Sequence, residues 1–543
     1  MTGPIGARRH IVATAHPLAS AAADDVLREG GTAVDAAIAA QTVLGVVEPH
    51  ASGLAGGSLL LVWTAADRRL AFIEGLAQAP EDVPEDWVVD ARGVRIPKAR
   101  LERCGRVVGV PGTPRTLALA HRRYGRLPWA RLFRDAIRLA DEGFALAPYL
   151  HATLRQRPEL AGKAAFARPY FDANGKPLAA GAMLRSPELA GTMRRIAADG
   201  AEAVHGGPIA ASVIAAVRGD ALPGGMTQAD LDGYAPQDRD PVELTLFGHR
   251  ICTAAPPVSG GIALLQQLAI LERLGIADEA PGSAEAAHLM IEAGRVARAD
   301  RRRWIGDPDQ AAVPVAGLLE SGYLDGRAGM IARRRALDRV RAGMPPGARA
   351  PAPSSEPLGQ TATSHVSVID GRGDAVSFTT TINQAFGSDL IASGMVLNDA
   401  LTNFATRPVR NGRRVANAIA PRKRPITTMA PTIVFGADGR PVLALGAGGG
   451  ARIIDSVAQT IVGVLAWGWD IRTAISAPRV GAQNGLLELE RGTKAAALAP
   501  ALRAMGHAPE VVEMNAGVQA VAADADGVVG WADPRRDGDA RGG

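Results

Sequence analysis

Apolar residues recur with helical and strand spacing from the N-terminus onward. Residues 16–31 have the composition of a helix that a glycine pair ends. Residues 34–47 form a second helix, which is so apolar on all sides that we expect it to be buried. Short apolar runs at residues 58–63 and 70–73 have the length of strands. The N-terminal part of the chain therefore predicts mixed α and β structure.

Helical patterns dominate between residues 113 and 331. The clearest of them cover residues 129–142, 267–274 and 284–301. Ser283 stands where its side chain would cap the N-terminus of the last helix. This middle part of the chain predicts a helical scaffold.

The sharpest change of composition follows that scaffold. Between residues 341 and 357, five prolines lie among Ala, Gly and Ser, which disfavours regular structure and predicts an exposed, mobile connector. Residues 363–370 and 375–383 then read as two strands, with a Gly-Arg-Gly-Asp turn between them. A flexible connector is thus predicted to lead directly into a core hairpin.

Composition places the chain among ordinary globular proteins. It has 543 residues, of which 47% are hydrophobic and 21% charged, so it can bury a large core. The net charge is only +5, and arginine triplets such as residues 301–303 are typical of solvated helix faces. Aromatic content is 4%, too low for the aromatic-rich basic surface that nucleic-acid binding requires. We therefore expect no nucleic-acid partner.

The two cysteines and the N-terminus predict a cytoplasmic protein. Cys104 and Cys252 form no metal-binding or CxxC spacing and are interpreted as buried thiols. No apolar stretch has the length of a signal sequence or of a membrane span, so no membrane partner is expected.

Thr363, at the start of the first predicted hairpin strand, is the candidate nucleophile. A threonine there is ordinarily only a good strand former. If the chain is cut before Thr363, however, that residue gains a free α-amine beside its own hydroxyl. Such an amine has a near-neutral pKa and can act as the general base for the hydroxyl.

The segment Thr363-Ser-His-Val-Ser-Val-Ile-Asp370 resembles the start of the small subunit of the γ-glutamyltransferases (glutathione hydrolases). Their motif is Thr-Thr-His-x-Ser-Val-(Val/Ile)-Asp, and its first threonine is matched. Further segments that resemble this family follow the same order along nearly the whole chain. They are residues 31–37, 45–50, 110–113, 259–261, 423–431, 448–453 and 533–535.

The resemblance implies a four-layer αββα sandwich, the fold of N-terminal-nucleophile hydrolases. It also implies self-cleavage between Ala362 and Thr363. The products would be a large subunit, residues 1–362, which ends in the Pro-rich segment 341–362, and a small subunit, residues 363–543. We expect the two subunits to stay packed together, with a small acyl amide as substrate and no cofactor.

The resemblance also assigns roles to individual residues. Catalysis would use a nucleophile, a residue that orients it, and two glycines whose N–H groups form an oxyanion hole. Substrate binding would use side-chain amides and a pair of hydroxyls. The catalytic set is Thr363, Thr381, Gly449 and Gly450, and the substrate-binding set is Asn383, Asn403, Thr427 and Thr428.

Three positions depart from the family pattern. Leu76 stands where the family has the arginine that pairs with the α-carboxylate of a glutamyl group. Ala400 and Asn403 replace the Glu or Gln and the Asp that hold its α-amine. Loss of a charged hydrogen-bond partner costs about 1.5–3 kcal/mol per interaction. The chemistry is therefore better preserved than the recognition of a glutamyl α-carbon.

Three functions remain open from the sequence. The first is a γ-glutamyl amide hydrolase or transferase. The second is an acylase for glutaryl-type cephalosporins or other small amides, and the third is a family member without catalytic activity. Retention of Thr363, Thr381 and Asn383 counts against the third.

Other catalytic classes find little support. Residues 446–451 match G-x-G-x-x-A, and Asp470 follows about 20 residues later, as in dinucleotide-binding folds. Residues 467–477, however, read as a continued helix and not as the second strand that such a fold needs. The ten histidines show no metal-binding spacing, so no metal is expected, and His365 is interpreted as structural. No G-x-S-x-G elbow occurs.

Overall fold

A computed structural model describes residues 5–349, 362–483, 486–524 and 527–543. Residues 341–349 of the predicted connector form neither helix nor strand, and residues 350–361 lie outside the described part of the chain.

The described chain contains helices and strands, several of them in runs of one kind. The helices are α1 Pro17–Arg28, α2 Ala33–Val47, α3 Lys98–Leu101, α4 Thr113–Tyr124, α5 Arg134–Glu142, α6 Pro148–Arg155, α7 Ala164–Tyr170, α8 Pro187–Asp199, α9 Glu202–His205, α10 Gly207–Arg218, α11 Gln228–Gly233, α12 Ser259–Arg273, α13 Ala284–Trp304, α14 Val315–Leu318, α15 Ser321–Ala328, α16 Ile453–Leu465, α17 Ile471–Ser476 and α18 Ala499–Ala504. The strands are β1 Ile5–Ala7, β2 Ile11–Thr14, β3 Gly57–Thr64, β4 Arg69–Gly75, β5 Phe144–Ala145, β6 Met183–Leu184, β7 Gln237–Arg239, β8 Val242–Leu246, β9 His249–Thr253, β10 Ala362–Ile369, β11 Ala375–Asn383, β12 Ile391–Ala392, β13 Met395–Val396, β14 Val409–Arg410, β15 Arg413–Arg414, β16 Thr432–Phe435, β17 Pro441–Gly448, β18 Val480–Gln483, β19 Leu486–Glu490, β20 Pro509–Val512, β21 Gly517–Asp524, β22 Gly527–Ala532 and β23 Asp539–Gly542.

Two seven-stranded sheets form the centre of the described structure. One has the order β1-β22-β21-β17-β16-β9-β8 and the other β23-β2-β10-β11-β3-β4-β7. The neighbouring strands within each sheet pair antiparallel. The sheets are stacked, since β10 and β11 of one contact β17 of the other.

Helices cover the outer face of each sheet. Helix α2 packs on β10 and β11, while α12 and α16 pack on the other sheet and α13 packs on α12. Helix α2 is buried along almost its whole length, as its apolar composition predicts, and Thr32 caps it with its side chain. The result is the predicted four-layer αββα sandwich.

The predicted hairpin is present, and the predicted helical scaffold is only partly correct. Strands β10 and β11 pair antiparallel around the Gly-Arg-Gly-Asp turn. The middle region also contains β7 and β8, which are edge strands of the two sheets, and β9, which lies between β8 and β16. These strands escaped prediction, because β7 contains no apolar residue and β9 shows no alternation of polar and apolar residues. Residues 129–142 are a 3-10 turn followed by α5, not one continuous helix.

Both parts of the chain build both sheets. Strands from residues 5–253 and strands from residues 362–542 are neighbours in each sheet order. The two parts are therefore joined by backbone hydrogen bonds in both sheets. A backbone cut near residue 362 would leave them held together.

Cys104 and Cys252 are buried free thiols, as expected. None of the helices within the described ranges is both long enough and apolar enough to cross a membrane.

Candidate active site

Thr363 lies at the start of β10, opposite an irregularity in β11. Ala362 pairs with Asn383, whereas Ser364 pairs with Thr380, so β11 has one extra residue at this point. Such a β-bulge redirects the side chains around it and is common beside active sites. The Thr363 side chain is fully buried.

Two hydroxyl groups contact the Ala362 carbonyl. Thr381 Oγ1 donates to the Ala362 carbonyl oxygen at 2.6 Å, and Thr363 Oγ1 lies 2.5 Å from the same oxygen. The two hydroxyl oxygens are 3.2 Å apart. A hydrogen bond to a carbonyl oxygen polarises the C=O bond and stabilises the negative charge that nucleophilic attack creates. The candidate nucleophile and a candidate oxyanion donor are thus at the same peptide bond.

The backbone of Asn383 orients the Thr381 hydroxyl. The Asn383 N–H donates to Thr381 Oγ1 at 2.8 Å. Because that bond occupies a lone pair of the oxygen, the hydroxyl proton is directed to the Ala362 carbonyl. Asn383 has φ = 85°, a left-handed conformation that asparagine adopts more readily than most residues. The predicted orienting role of Thr381 thus has a geometric basis.

Arg536 holds the other side of the nucleophile. Its Nη1 donates to the Thr363 carbonyl oxygen at 2.9 Å, and its Nε donates to the Asn515 carbonyl at 2.8 Å. The guanidinium also lies over the Tyr149 ring, 4.8 Å from the centroid. These contacts fix the backbone that carries Thr363.

Gly448 allows the second sheet to approach Thr363 closely. A Cβ atom at this position would overlap the Thr363 carbonyl oxygen and would lie 2.6 Å from Arg536 Nη1. We expect Gly448→Ala to lose about 1–3 kcal/mol of stability by overpacking and to slow any cleavage at residue 362. Urea unfolding and the rate at which fragments form would measure both effects.

Gly191→Ala is the matched control, because Gly191 lies on an exposed helix position where an added Cβ meets nothing within 4 Å. If Gly448→Ala and Gly191→Ala had the same stability and the same cleavage rate, the close approach of Gly448 to Thr363 would be contradicted.

The glycine turn predicted as an oxyanion hole follows β17. Gly449 and Gly450 have φ = 129° and 63°, values that favour glycine. Thr428 Oγ1 donates to the Gly450 carbonyl at 2.9 Å and so holds the turn. Gly448, the residue directly before this turn, lies against the Thr363 carbonyl group, so the turn is close to Thr363.

Several predicted substrate residues line one small cavity. Its volume is about 20 Å³, which is space for about one water molecule. None of the lining side chains that the structure describes carries a charge. Thr428, which the sequence analysis assigned to substrate binding, is absent from this described lining and contacts Gly450 instead. The lining residues are Gly57, Leu76, Ala77, Thr381, Asn383, Ala400, Asn403, Pro425, Ile426 and Thr427.

Side-chain amides form the polar wall of this cavity. Asn403 Nδ2 donates to Asn383 Oδ1 at 2.8 Å, and Asn383 Nδ2 donates to Thr402 Oγ1 at 2.7 Å. Below them lies Asp399, whose Oδ1 accepts from the Gln384 N–H at 2.9 Å. Burial raises the pKa of Asp399 to about 7. Asn383 and Asn403 therefore lie together, as the resemblance implies.

A buried carboxyl group lies behind the nucleophile. Ser364 Oγ donates to Glu48 Oε2 at 2.6 Å. Burial raises the pKa of Glu48 from 4.5 to about 7, although Arg536 and the Ser364 hydrogen bond both act to lower it. Between these two pKa values the folded protein thus retains a proton that the unfolded chain would release.

This carboxyl group should lower stability as pH rises from about 4.5 to about 7. In that range the folded state binds more protons than the unfolded state, so the free energy of unfolding falls with increasing pH. We expect Glu48→Gln to gain about 3 kcal/mol relative to the parent between pH 4 and pH 8. Urea unfolding of Thr363→Ala and of the double variant Thr363→Ala/Glu48→Gln at each pH would measure this gain. A difference in stability that does not change with pH would contradict the prediction.

His365 and the glycine before the turn have structural roles. The ring of His365 contacts Thr379 Oγ1 at 2.8 Å and Ser367 Oγ at 2.9 Å, and burial lowers its pKa to about 3. A Cβ at Gly446 would overlap this ring. The interpretation of His365 as structural is in accord with these contacts.

The same region counts against the dinucleotide-binding alternative. Strand β17 pairs antiparallel on both sides, whereas that fold needs a parallel βαβ unit. Asp470 caps the N-terminus of α17 by accepting from the Thr473 N–H. The helix predicted over residues 467–477 is shorter, since α17 covers Ile471–Ser476.

The comparison with known families decides the assignment. The model of the gamma-glutamyltranspeptidase family matches residues 19–543. The chain belongs to this family. It is therefore an enzyme of the hydrolase and acyltransferase class, as the resemblance implies.

Gamma-glutamyltranspeptidase relatives match most of the chain. The glutathione hydrolase proenzyme of Bacillus subtilis (strain 168) is 36% identical over 480 residues, 87% of this chain and 80% of the relative. The acylase ACY 1 proenzyme of Pseudomonas sp. (strain SE83) is 36% identical over 543 residues, 97% of this chain and 92% of the relative. The crystal structure of cephalosporin acylase from Bacillus halodurans has a TM-score of 0.87 at 28% identity and covers 100% of this chain and 97% of its own. Glutathione hydrolases and acylases are thus both similar to this gamma-glutamyltranspeptidase family member.

Two site residues escaped the sequence analysis. Glu48 lies inside a segment that resembles the gamma-glutamyltranspeptidase family, residues 45–50, and Arg536 directly follows another, residues 533–535. Their positions in or beside these segments were the only feature of the sequence that could have pointed to Glu48 and Arg536 as site residues. Neither residue type by itself indicates a contact with Thr363 or Ser364, since the partners are more than 170 residues away in sequence.

Proposed function

We propose that the chain cleaves itself between Ala362 and Thr363 and then uses Thr363 as an N-terminal nucleophile on small acyl amides. The observation that carries this proposal is the Ala362 carbonyl oxygen, which the hydroxyls of Thr363 and Thr381 both contact. The names of the relatives, which include two proenzymes, support it.

Self-cleavage begins when Thr363 Oγ1 attacks the Ala362 carbonyl carbon. The C–N bond then breaks, the hydroxyl proton passes to the released α-amine, and Ala362 is held as an ester on Thr363. Thr381 stabilises the oxyanion through its hydroxyl. Water hydrolyses the ester, which leaves a carboxylate on Ala362 and restores the Thr363 hydroxyl.

Catalysis on a substrate repeats the same chemistry in the space that Ala362 leaves. The substrate carbonyl takes the place of the Ala362 carbonyl beside Thr363 and Thr381. The α-amine of Thr363 accepts the hydroxyl proton and delivers it to the leaving amine. An acyl-enzyme forms, and water or an acceptor amine releases the acyl group. Gly449 and Gly450 would donate backbone N–H groups to the oxyanion.

The two products, residues 1–362 and 363–543, would remain one particle. Strands from both lie side by side in each sheet. The large and small subunits of the active form are therefore expected to separate only under denaturing conditions.

The uncharged cavity favours an acyl group without charges at its α-carbon. Leu76 and Ala400 face it together with Asn403, and these are the positions where the resemblance implies charged or more polar partners for a glutamyl group. A carboxylate or ammonium buried there would lose its hydration without a charged partner, which is costly. We therefore prefer an acylase function over γ-glutamyl hydrolysis.

Three p-nitroanilides that differ only in these charges test the preference. We expect kcat/KM to rise from the γ-glutamyl to the glutaryl to the butyryl compound, by about 10-fold or more per charge removed. Leu76→Arg should selectively raise the activity on the two amides that carry the carboxylate. Fastest turnover of the γ-glutamyl compound would overturn the preference and leave the nucleophile assignment standing.

A further inference from the structure

Three ligand-type side chains meet in the interior, far along the chain from Thr363. His288 and Glu292 are one turn apart on α13, and His507 follows α18. All three side chains are buried. One ligand atom from each lies within 4.8 Å of the others. No metal was expected from the sequence, because the ten histidines show no metal-binding spacing.

The hydrogen bonds fix where the protons of this cluster are. His288 Nε2 is 2.7 Å from the Ala332 carbonyl oxygen, which can only accept, so Nε2 carries a proton. When His288 carries only this proton, its Nδ1 accepts from His507 Nε2, which lies 2.7 Å away. His507 Nε2 must therefore be the donor. That leaves His507 Nδ1 with a bare lone pair.

This lone pair faces another acceptor. Among the residues that the structure describes, His507 Nδ1 has no hydrogen-bond partner, and it lies 3.6 Å from Glu292 Oε1. Arg295 donates to the same Oε1 at 2.6 Å, and the Leu337 N–H donates to Oε2 at 3.3 Å. A carboxylate has about four acceptor sites, so Oε1 retains one for a further partner. A cation between two buried acceptors that lie this close together would stabilise both of them.

We propose that Glu292 and His507 bind a divalent transition-metal ion of the zinc class. Two ligands on a tetrahedral Zn²⁺ with bonds of about 2.0–2.1 Å are about 3.4 Å apart, close to the separation of the two atoms. Imidazole and carboxylate suit such ions. His288 accepts the other ring N–H of His507 and orients it, as a supporting residue does in many metal sites.

The site would join two distant parts of the chain. Glu292 comes from the helix that packs on α12, and His507 comes from the C-terminal region. If the cleavage under the proposed function occurs, the ion would link the large subunit to the small one. Metal binding itself does not depend on that cleavage.

Zinc binding to native protein tests the proposal. The protein is first stripped of metal with a chelator and is not unfolded at any step. We expect about one tightly bound Zn²⁺ per wild-type chain and a rise in Tm of about 2 °C at 100 times Kd. Glu292→Gln and His507→Gln should lose this ion, and His288→Gln should weaken binding about 10- to 100-fold. His249→Gln is the control, since His249 is a half-buried histidine whose ring contacts the Phe247 carbonyl.

The wild-type measurement decides the matter even if a variant fails to fold. Folded wild type that takes up no stoichiometric Zn²⁺, or Zn²⁺ that persists in His507→Gln, would overturn the site. Thr363→Ala, which cannot cut itself, should bind the ion as wild type does. That result separates failure of the metal site from failure of the proposed function.

Discussion

We expect Thr363→Ala to remain a single chain and to lose amide hydrolysis by about 10⁴-fold or more. Alanine removes both the hydroxyl that attacks the Ala362 carbonyl and the cut that would release the α-amine. The Thr381 hydroxyl contacts the same carbonyl oxygen, but it cannot replace that of Thr363, because the N-to-O shift needs the hydroxyl of the residue whose own amine is released. A denaturing gel and a p-nitroanilide assay measure both losses.

Thr363→Ser is the matched control for this prediction. Serine retains the hydroxyl and the future amine, so it should still cut and still turn over substrate, at reduced rates. Full activity in Thr363→Ala would remove Thr363 from the mechanism.

The second large effect is expected for Thr381→Val. Valine has nearly the shape of threonine and removes the hydroxyl that donates to the Ala362 carbonyl and accepts from the Asn383 N–H. Loss of one oxyanion donor typically slows a reaction by about 10²–10³-fold. We expect the conversion of uncut to cut chain to slow by that factor, measured by intact mass during incubation after purification.

Thr380→Val provides a control in the same strand. Its hydroxyl is buried and has no hydrogen-bond partner within the described part of the chain, so its loss should leave the cleavage rate nearly unchanged. Thr381→Ser should restore most of the rate. If Thr380→Val and Thr381→Val slowed cleavage equally, the effect would arise from packing and not from the hydroxyl of Thr381.

Much of the fold could be predicted because its elements have strong local signals. The apolar composition of α2, the Ser283 cap of α13 and the turn between β10 and β11 each depend on a few neighbouring residues. Strands β7 to β9 have only three to five residues each, and β7 and β9 show no alternation of polar and apolar residues. Such strands are defined by their partners in the sheet, which sequence alone does not reveal.

The sequence predicted which residues belong to the candidate site better than it predicted the contacts between them. The resemblance named Thr381 and Asn383, but the bulge that places them against the Ala362 carbonyl is a mismatch between two strands. Arg536 likewise acts on Thr363 only after the C-terminal turn has packed against β10. Thr428 matched a motif position, yet its hydroxyl is directed to Gly450. Contacts between distant residues thus carry the information that the motifs lack.

The most direct test of the central claim is the intact mass, with N-terminal sequencing, of the purified wild-type protein. The proposed mechanism predicts two fragments, residues 1–362 and 363–543, with threonine as the first residue of the smaller one. A single uncut chain of 56.2 kDa, or a break at another peptide bond, would contradict Thr363 as an N-terminal nucleophile and favour a family member without catalytic activity.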